Sequence, residues 1–240
     1  MKRLLIALLL MVLPIFTANA QGTLFGRADL DGNGSLDEIF VGNSFIRIAG
    51  GLGTVSRTYT FAGSATILAG GVQNMNAHVA SAEIALSEIR QNQYTFLAII
   101  NHRTGVVQSF RMLPGWRLLA GGIKDLDGYP GAEIATYAVI NSPNPAWSTS
   151  RIFIVTSRDG TRVEYGTNFG TTGYQTWQLL GIQNYDPNSP GLEIEYRLTV
   201  PSSFGNSYHQ RRLYHRSRVT YDWDYPSFRL RGIYPALSVI

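Results

Sequence analysis

A short acidic loop near the start of the chain carries the residues best suited to bind a metal ion. Asp29, Asp31, Asn33 and Asp37 stand at positions 1, 3, 5 and 9 of this loop, with glycines between them. Hard cations such as calcium take about six to eight oxygen ligands. The spacing offers four side-chain oxygen donors and a backbone carbonyl near Ser35, so we predict a calcium site here.

An EF-hand does not explain this loop. That motif requires an acidic residue at position 12 and a helix after the loop, but position 12 is Phe40 and the residues that follow alternate like a β-strand.

The same arrangement recurs along the chain at three further anchor loops. They are Asn74-Met-Asn76 followed by Glu83, Asp125-Leu-Asp127 followed by Glu133, and Asn184-Tyr-Asp186 followed by Glu193. In the third loop Asp125, Asp127 and Glu133 form a weaker calcium candidate, since Tyr129 stands at position 5. For the second and fourth loops we favour Asx turns held by side-chain to backbone hydrogen bonds.

Between the anchor loops the sequence alternates and is rich in β-branched and aromatic residues, which is typical of strands. We predict four short strands in each unit, a to d, with the anchor loop joining d to the next a. The units are 29–73, 74–124, 125–183 and 184–240, with 21–28 as a lone closing strand. The predicted fold is all-β, a small β-propeller-like array of four four-stranded repeats. A β-sandwich or an open β array is the alternative.

The D-x-D-G-N-G-x-x-D loop followed by an apolar strand resembles the FG-GAP repeat, also called the VCBS-type repeat, of integrin-like β-propellers and exported bacterial proteins. The resemblance implies calcium bound by Asp29, Asp31, Asn33, the Ser35 carbonyl and Asp37. It also implies a scaffold for binding or adhesion.

The N-terminal sequence is typical of a secretory signal peptide. Lys2 and Arg3 precede an uncharged stretch over 4–16, and the small-x-small end at Ala20 predicts cleavage of residues 1–20. Residues 21–240 would then form a single exported domain, periplasmic or extracellular, with no transmembrane segment. Loss of Lys2 and Arg3 with the signal lowers the net charge from +4 to +2, which is too small to indicate a nucleic-acid partner.

Loops that join a to b and c to d must share one end of the array, which we call the ligand face. Aromatic residues among Asn, Ser and Thr in these loops suit a glycan or a protein ligand. The candidates are Trp147, Phe204, Tyr208, Tyr174, Trp223 and Tyr225. Trp116 and Trp177, at strand edges, are expected to pack between units instead.

The sequence favours a binding module over an enzyme. The absence of cysteine excludes thiolate chemistry and disulfides, and no catalytic motif is present. A polysaccharide hydrolase is the rival reading, for which the acidic pair Asp222 and Asp224 is the candidate, although we expect that pair to lie in a polar turn. A self-assembling structural protein is the third possibility, and the sequence leaves the oligomeric state open.

Overall fold

The computed structural model describes residues 22–51, 56–76, 78, 80–91, 93–140, 149–167, 176–188, 190–202, 205–215, 219–224 and 229–235. The predicted signal at 1–20 lies outside these residues. In these ranges, seventeen β-strands form four antiparallel sheets. This confirms the all-β prediction and the array of four small sheets. Within the described ranges, no helix is long and apolar enough to cross a membrane.

Each sheet is built from strands that follow one another in sequence. The first contains β1 (Thr23–Ala28), β2 (Asp37–Val41), β3 (Phe45–Ala49) and β4 (Arg57–Thr60). The second contains β5 (Gly63–Gln73), β6 (Glu83–Arg90), β7 (Thr95–Asn101) and β8 (Val106–Met112). The third contains β9 (Arg117–Lys124), β10 (Glu133–Ile140), β11 (Thr149–Thr156) and β12 (Thr161–Thr167). The fourth contains β13 (Thr176–Gln183), β14 (Glu193–Ser202), β15 (Gly205–Tyr214), β16 (Val219–Asp224) and β17 (Arg229–Pro235).

The grouping of strands differs from the sequence-based units in one respect. Each sheet begins with the glycine-containing strand d that precedes an anchor loop, so β1 pairs with β2 in the first sheet instead of standing as a lone closing strand. The anchor loop is therefore the first turn inside a sheet. The pairing is local because a short loop between antiparallel strands places them side by side.

The first strand of each sheet also carries an irregularity opposite the strand that follows the anchor loop. Register shifts occur in the pairs β1–β2, β5–β6, β9–β10 and β13–β14. Glycine lies in each of these first strands, and β-bulges commonly use its backbone freedom.

Apolar side chains fill the space between successive sheets. One core cluster joins the first and second sheets through residues such as Ile39 and Ile84, and another joins the third and fourth through Ile154 and Ile194. The cluster between the second and third sheets includes Trp116, which is 7% exposed. The prediction that Trp116 packs between units is confirmed.

A repeated backbone hydrogen bond ties each sheet to the one before it. The N–H of the residue that precedes the acidic start of the second strand donates to the carbonyl of the anchor residue in the preceding loop. The pairs are Ala82 to Asp29 at 2.9 Å, Ala132 to Asn74 at 3.2 Å, and Leu192 to Asp125 at 3.1 Å. Neighbouring anchor loops are thus in direct contact and lie at the same end of the array.

Candidate metal centres

The four anchor loops share one hydrogen bond that fixes their shape. The acidic residue that begins the second strand of each sheet is buried and accepts from the backbone N–H of the residue after the anchor. The pairs are Leu30 to Asp37 at 3.0 Å, Met75 to Glu83 at 3.0 Å, Leu126 to Glu133 at 2.7 Å, and Tyr185 to Glu193 at 2.7 Å. Each acid therefore holds its loop against the strand that follows.

In the first loop three carboxylates converge. Oxygens of Asp29, Asp31 and Asp37 lie within 4.8 Å of one another, with Asp37 buried and the other two half-buried. The group combines two residues of the loop with the first residue of β2. Three carboxylates at this separation suit a hard divalent cation, for which oxygen is the preferred ligand.

Backbone N–H groups of the same loop surround Asp29. Its Oδ1 accepts from Gly32 at 2.7 Å and from Asn33 at 3.1 Å, and its Oδ2 accepts from Gly34 at 2.9 Å. Burial raises the pKa of Asp29, but the hydrogen bonds from Gly34, Gly32 and Asn33 outweigh it, so the net pKa lies below the usual value. Asp29 is therefore held as the carboxylate, the form that binds cations.

The other two predicted ligands of this loop lie on the same turn. The Asn33 side chain donates to Asp31 Oδ2 at 3.0 Å, while its Oδ1 accepts from the Ser35 backbone N–H at 2.7 Å. Asn33 and Ser35 thus support the turn next to the three carboxylates.

Two glycines in the loop adopt a backbone conformation that other residues avoid. Gly32 and Gly34 have φ of +78° and +84°. At Gly32 a Cβ atom would also lie 2.7 Å from the Ala80 carbonyl oxygen of the second anchor loop, whereas at Gly34 it would meet nothing within 4 Å. The first loop therefore fits against its neighbour at Gly32.

The third loop gathers a second acidic cluster. Carboxylate oxygens of Asp125, Asp127 and Glu133 lie within 4.8 Å of one another. Arg158, from the turn between β11 and β12, places its Nη2 at 2.9 Å from Asp127 Oδ2 and its guanidinium 5.1 Å from the centre of the Tyr129 ring. A protein cation thus lies against this cluster.

Glu133 is the least compensated acid of the third cluster. It is fully buried, its Oε2 accepts from Leu126, and its Oε1 has no hydrogen-bond partner. Burial, together with the negative charges of Asp127 and Asp125, raises its pKa to about 7. Glu133 is therefore protonated more readily than an ordinary carboxyl group, even with Arg158 beside the cluster.

The second and fourth loops are built differently. Glu83 Oε1 accepts from Asn101 Nδ2 at 3.0 Å and from Ser157 Oγ of the third sheet at 3.1 Å. Asn74 accepts from the Asn76 backbone at 3.0 Å, as expected for an Asx turn. In the described part of the chain, groups of three or more acidic or histidine side chains that could hold an ion occur at the first and third loops.

The fourth loop has the same kind of turn. Asp186 accepts from the Asn188 backbone at 3.0 Å, and the Asp186 N–H itself donates to Glu193 at 3.3 Å. This pattern matches the Asx turn that the sequence favours for this loop.

Most of the predicted ligand-face residues lie outside the described residues. These are Trp147, Tyr174, Phe204 and Tyr225. Tyr208 lies on β15 opposite Thr199, and Trp223 lies on β16 opposite Gln210. Both are therefore on strands of the fourth sheet.

The acidic pair considered for hydrolysis is also on a strand. Asp222 and Asp224 belong to β16, where they pair with Gly232 and Arg229 of β17. The expectation of a polar turn at this pair is therefore corrected, because β17 adds a fifth strand and extends the sheet across it.

Sequence reasoning missed Arg158 as part of the third centre. The sequence shows it only as a residue of a hairpin turn, 31 residues from Asp127. The contact arises because that turn and the anchor loop lie at the same end of the sheet. No family model, curated protein or solved structure matches the chain.

Proposed function

We propose that this chain is an exported, non-catalytic binding module of the FG-GAP type. It holds a structural calcium ion in its first anchor loop and takes a glycan or protein ligand at the ligand face. The observation that carries the calcium proposal is the convergence of Asp29, Asp31 and Asp37 within 4.8 Å at the turn between β1 and β2. Export is supported by the sequence pattern of residues 1–20, and the ligand by the aromatic residues of the polar loops.

The calcium ion would act on the fold instead of on a substrate. Asp29 and Asp31 lie in the loop and Asp37 begins β2, so one ion that binds all three joins the loop to the strand. The ion would also offset the mutual repulsion of the three carboxylates. Because the Asp29 carbonyl accepts from Ala82 of the next loop, a fixed first loop also supports the second sheet.

Thermal unfolding of the protein in calcium and in chelator tests this role. A ligand present at a hundredfold excess over its Kd stabilises the native state by about 2.7 kcal/mol, which corresponds to roughly 5–10 °C for a domain of this size. We expect calcium to raise the Tm by this amount and Asp31→Asn to abolish the gain. Asp186→Asn, at the same position of the fourth loop, is the matched control and should leave the gain unchanged. Identical melting in millimolar calcium and in chelator would contradict the proposal.

One observation favours self-assembly as a second candidate function. Leu36 is 61% exposed, whereas Ala82, Ala132 and Leu192, which hold its position in the later loops, are buried or half-buried and bond to the preceding anchor. Among the described residues, no such backbone bond joins Leu36 to the fourth loop. The end of the first sheet could then receive the fourth sheet of a second copy.

Light scattering over a range of protein concentrations tests self-assembly. The wild-type protein should associate as its concentration rises, and Leu36→Lys should remain monomeric. A wild-type protein that is monomeric throughout would exclude this candidate.

A further inference from the structure

A cavity of about 320 Å³ lies between the second and third sheets, away from the acidic clusters. Tyr94, in the loop between β6 and β7, and Leu113, in the loop between β8 and β9, form part of its wall. Both loops belong to the ligand face. The volume is at the lower end of the range of about 300–1,000 Å³ that is typical of small-molecule sites.

Two arginines hold fixed positions at this cavity. The Arg111 guanidinium lies 4.2 Å from the centre of the Tyr94 ring, and that of Arg162 lies 5.3 Å from the centre of the Phe153 ring. Arg162 also donates from Nη1 to the Arg111 backbone carbonyl, which ties β12 of the third sheet to β8 of the second. Both arginine side chains belong to exposed residues that line the cavity.

No acidic residue in the described part of the chain forms an ion pair with Arg111 or Arg162. Glu88 lies in the same cross-strand row as Arg111, because Phe96 on β7 pairs with Glu88 on one side and with Arg111 on the other. Glu88 Oε1 accepts from the Ala62 N–H at 3.0 Å and from Arg90 Nε at 2.9 Å, and its Oε2 accepts from Arg90 Nη2 at 3.0 Å. Arg90 therefore neutralises the acid that Arg111 would otherwise meet.

Other arginines of the array differ from these two because they pair with a carboxylate. Arg27, Arg90, Arg158 and Arg212 each pair with a carboxylate at 2.9 Å or less. Two guanidinium groups that form no ion pair among the described residues create a positive field at one cavity. A guanidinium matches a carboxylate in two parallel hydrogen bonds. The charge of the cavity therefore favours an anionic ligand.

The other residues of the cavity indicate which kind of molecule carries the anionic group. Tyr94 is 46% exposed and supplies an aromatic wall, while Met112 and Phe153, 4% and 1% exposed, close the apolar floor. An aromatic wall packs well against the C–H face of a sugar ring. We propose that this cavity binds a carboxylated sugar of an acidic glycan, its carboxylate between Arg111 and Arg162 and its ring against Tyr94. This choice of a glycan rests on the proposed function, while the charge and shape of the cavity do not.

Calorimetric titration of the protein with trigalacturonate and with neutral galactotriose tests the site at low salt. We expect trigalacturonate to bind and galactotriose to bind at least about tenfold more weakly, because a hydrogen bond to a charged group contributes that much. The double variant Arg111→Gln with Arg162→Gln should lose about tenfold or more of the affinity for trigalacturonate. Arg27→Gln removes one positive charge on the first sheet and should leave the affinity unchanged.

Tyr94 separates stacking from hydrogen bonding. Tyr94→Phe should retain binding and Tyr94→Ala should lose it. The proposal would be overturned if both sugars bind equally or if trigalacturonate does not bind. It would also be overturned if the double arginine variant binds trigalacturonate as the wild type does while its melting curve shows a folded protein. A hexaglutamate peptide that binds as tightly as trigalacturonate would overturn the assignment to a sugar.

Failure of this site can be told apart from failure of the proposed function. If calcium stabilises the protein through Asp31 and trigalacturonate does not bind, the cavity assignment falls and the calcium-binding module stands. If trigalacturonate binds through Arg111 and Arg162 while calcium has no effect, the cavity assignment stands and the calcium proposal falls.

Discussion

The first and third anchor loops each bring three carboxylates within 4.8 Å of one another, but the groups around those carboxylates differ. In the first loop, backbone N–H groups of the loop surround Asp29. In the third loop Arg158 pairs with Asp127, and Glu133 keeps one buried oxygen without a partner. In the third loop a cation of the chain itself thus lies against the acidic cluster.

An acidic loop that matches the motif does not by itself indicate a metal site. Arg158 delivers its charge at 2.9 Å from Asp127, so calcium at the third loop would have to compete with a tethered cation that is always present. At the first loop, Asp29 accepts from neutral backbone N–H groups of the loop itself. We therefore expect the first loop to bind calcium more tightly than the third.

Removing the tethered cation should have the largest effect. Arg158→Met keeps an apolar stem against Tyr129 but leaves Asp127, whose side chain is 8% exposed, without its partner. Breaking such a pair costs about 3 kcal/mol or more, which chemical denaturation in chelator would measure. Arg27→Met is the matched control, since its pair with Glu38 is exposed and is worth less than about 1 kcal/mol.

The same variant sharpens the contrast between the loops. Once Arg158 is replaced, calcium should bind the third cluster and recover part of the lost stability. An equal cost for Arg158→Met and Arg27→Met would show that the third cluster does not depend on the tethered cation.

Two glycines of the first loop give the next largest effect. Gly34→Ala forces alanine into the left-handed region and should cost about 1 kcal/mol in the free energy of unfolding. Gly32→Ala carries the same backbone penalty and also brings a Cβ to 2.7 Å from the Ala80 carbonyl, so it should cost about 2 kcal/mol or more. Equal costs in denaturant titrations would mean that the first and second loops are not in contact.

The third loop should also give the calcium-free protein a distinct pH dependence. Burial raises the pKa of Glu133 to about 7 in the folded protein, above about 4.3 in the unfolded chain. The native state therefore holds an extra proton between these values. Its stability therefore falls as pH rises from about 4.3 to about 7, with a slope of up to about 1.4 kcal/mol per pH unit.

Comparison with Glu133→Gln isolates this contribution from that of the other acids. The unfolding free energy of wild type minus that of the variant, measured in chelator from pH 5 to 8, should fall with the predicted slope up to about pH 7 and then level off. A pH-independent difference would show that Glu133 is already ionised at pH 5.

Much of the fold follows from local sequence patterns, and this is why it could be predicted. The β-branched and aromatic residues around Ile99 mark a strand, and Asx residues followed by an acid mark the turns. The acids that begin strands are distinctive because a buried carboxylate needs a hydrogen-bond donor, and the loop supplies one at Leu30, Met75 and their equivalents.

Contacts between distant segments could not be predicted. Arg158 and Asp127 meet through the shape of the third sheet, and Arg111 and Arg162 meet through the packing of two sheets. The strand position of Asp222 was missed because β16 continues to Asp224, into residues that the sequence suggested were a turn. Charge compensation depends on such contacts, so the sequence alone could not separate the first acidic loop from the third.

The most direct test of the account is calorimetric titration of calcium into the wild-type protein, Asp31→Asn and Asp125→Asn. Asn at position 125 can still accept the Gly128 N–H bond of 2.6 Å, so this variant removes a charge from the third loop while keeping its turn. We predict a binding isotherm that Asp31→Asn abolishes and Asp125→Asn leaves intact. Binding that survives Asp31→Asn, or that Asp125→Asn abolishes, would contradict it.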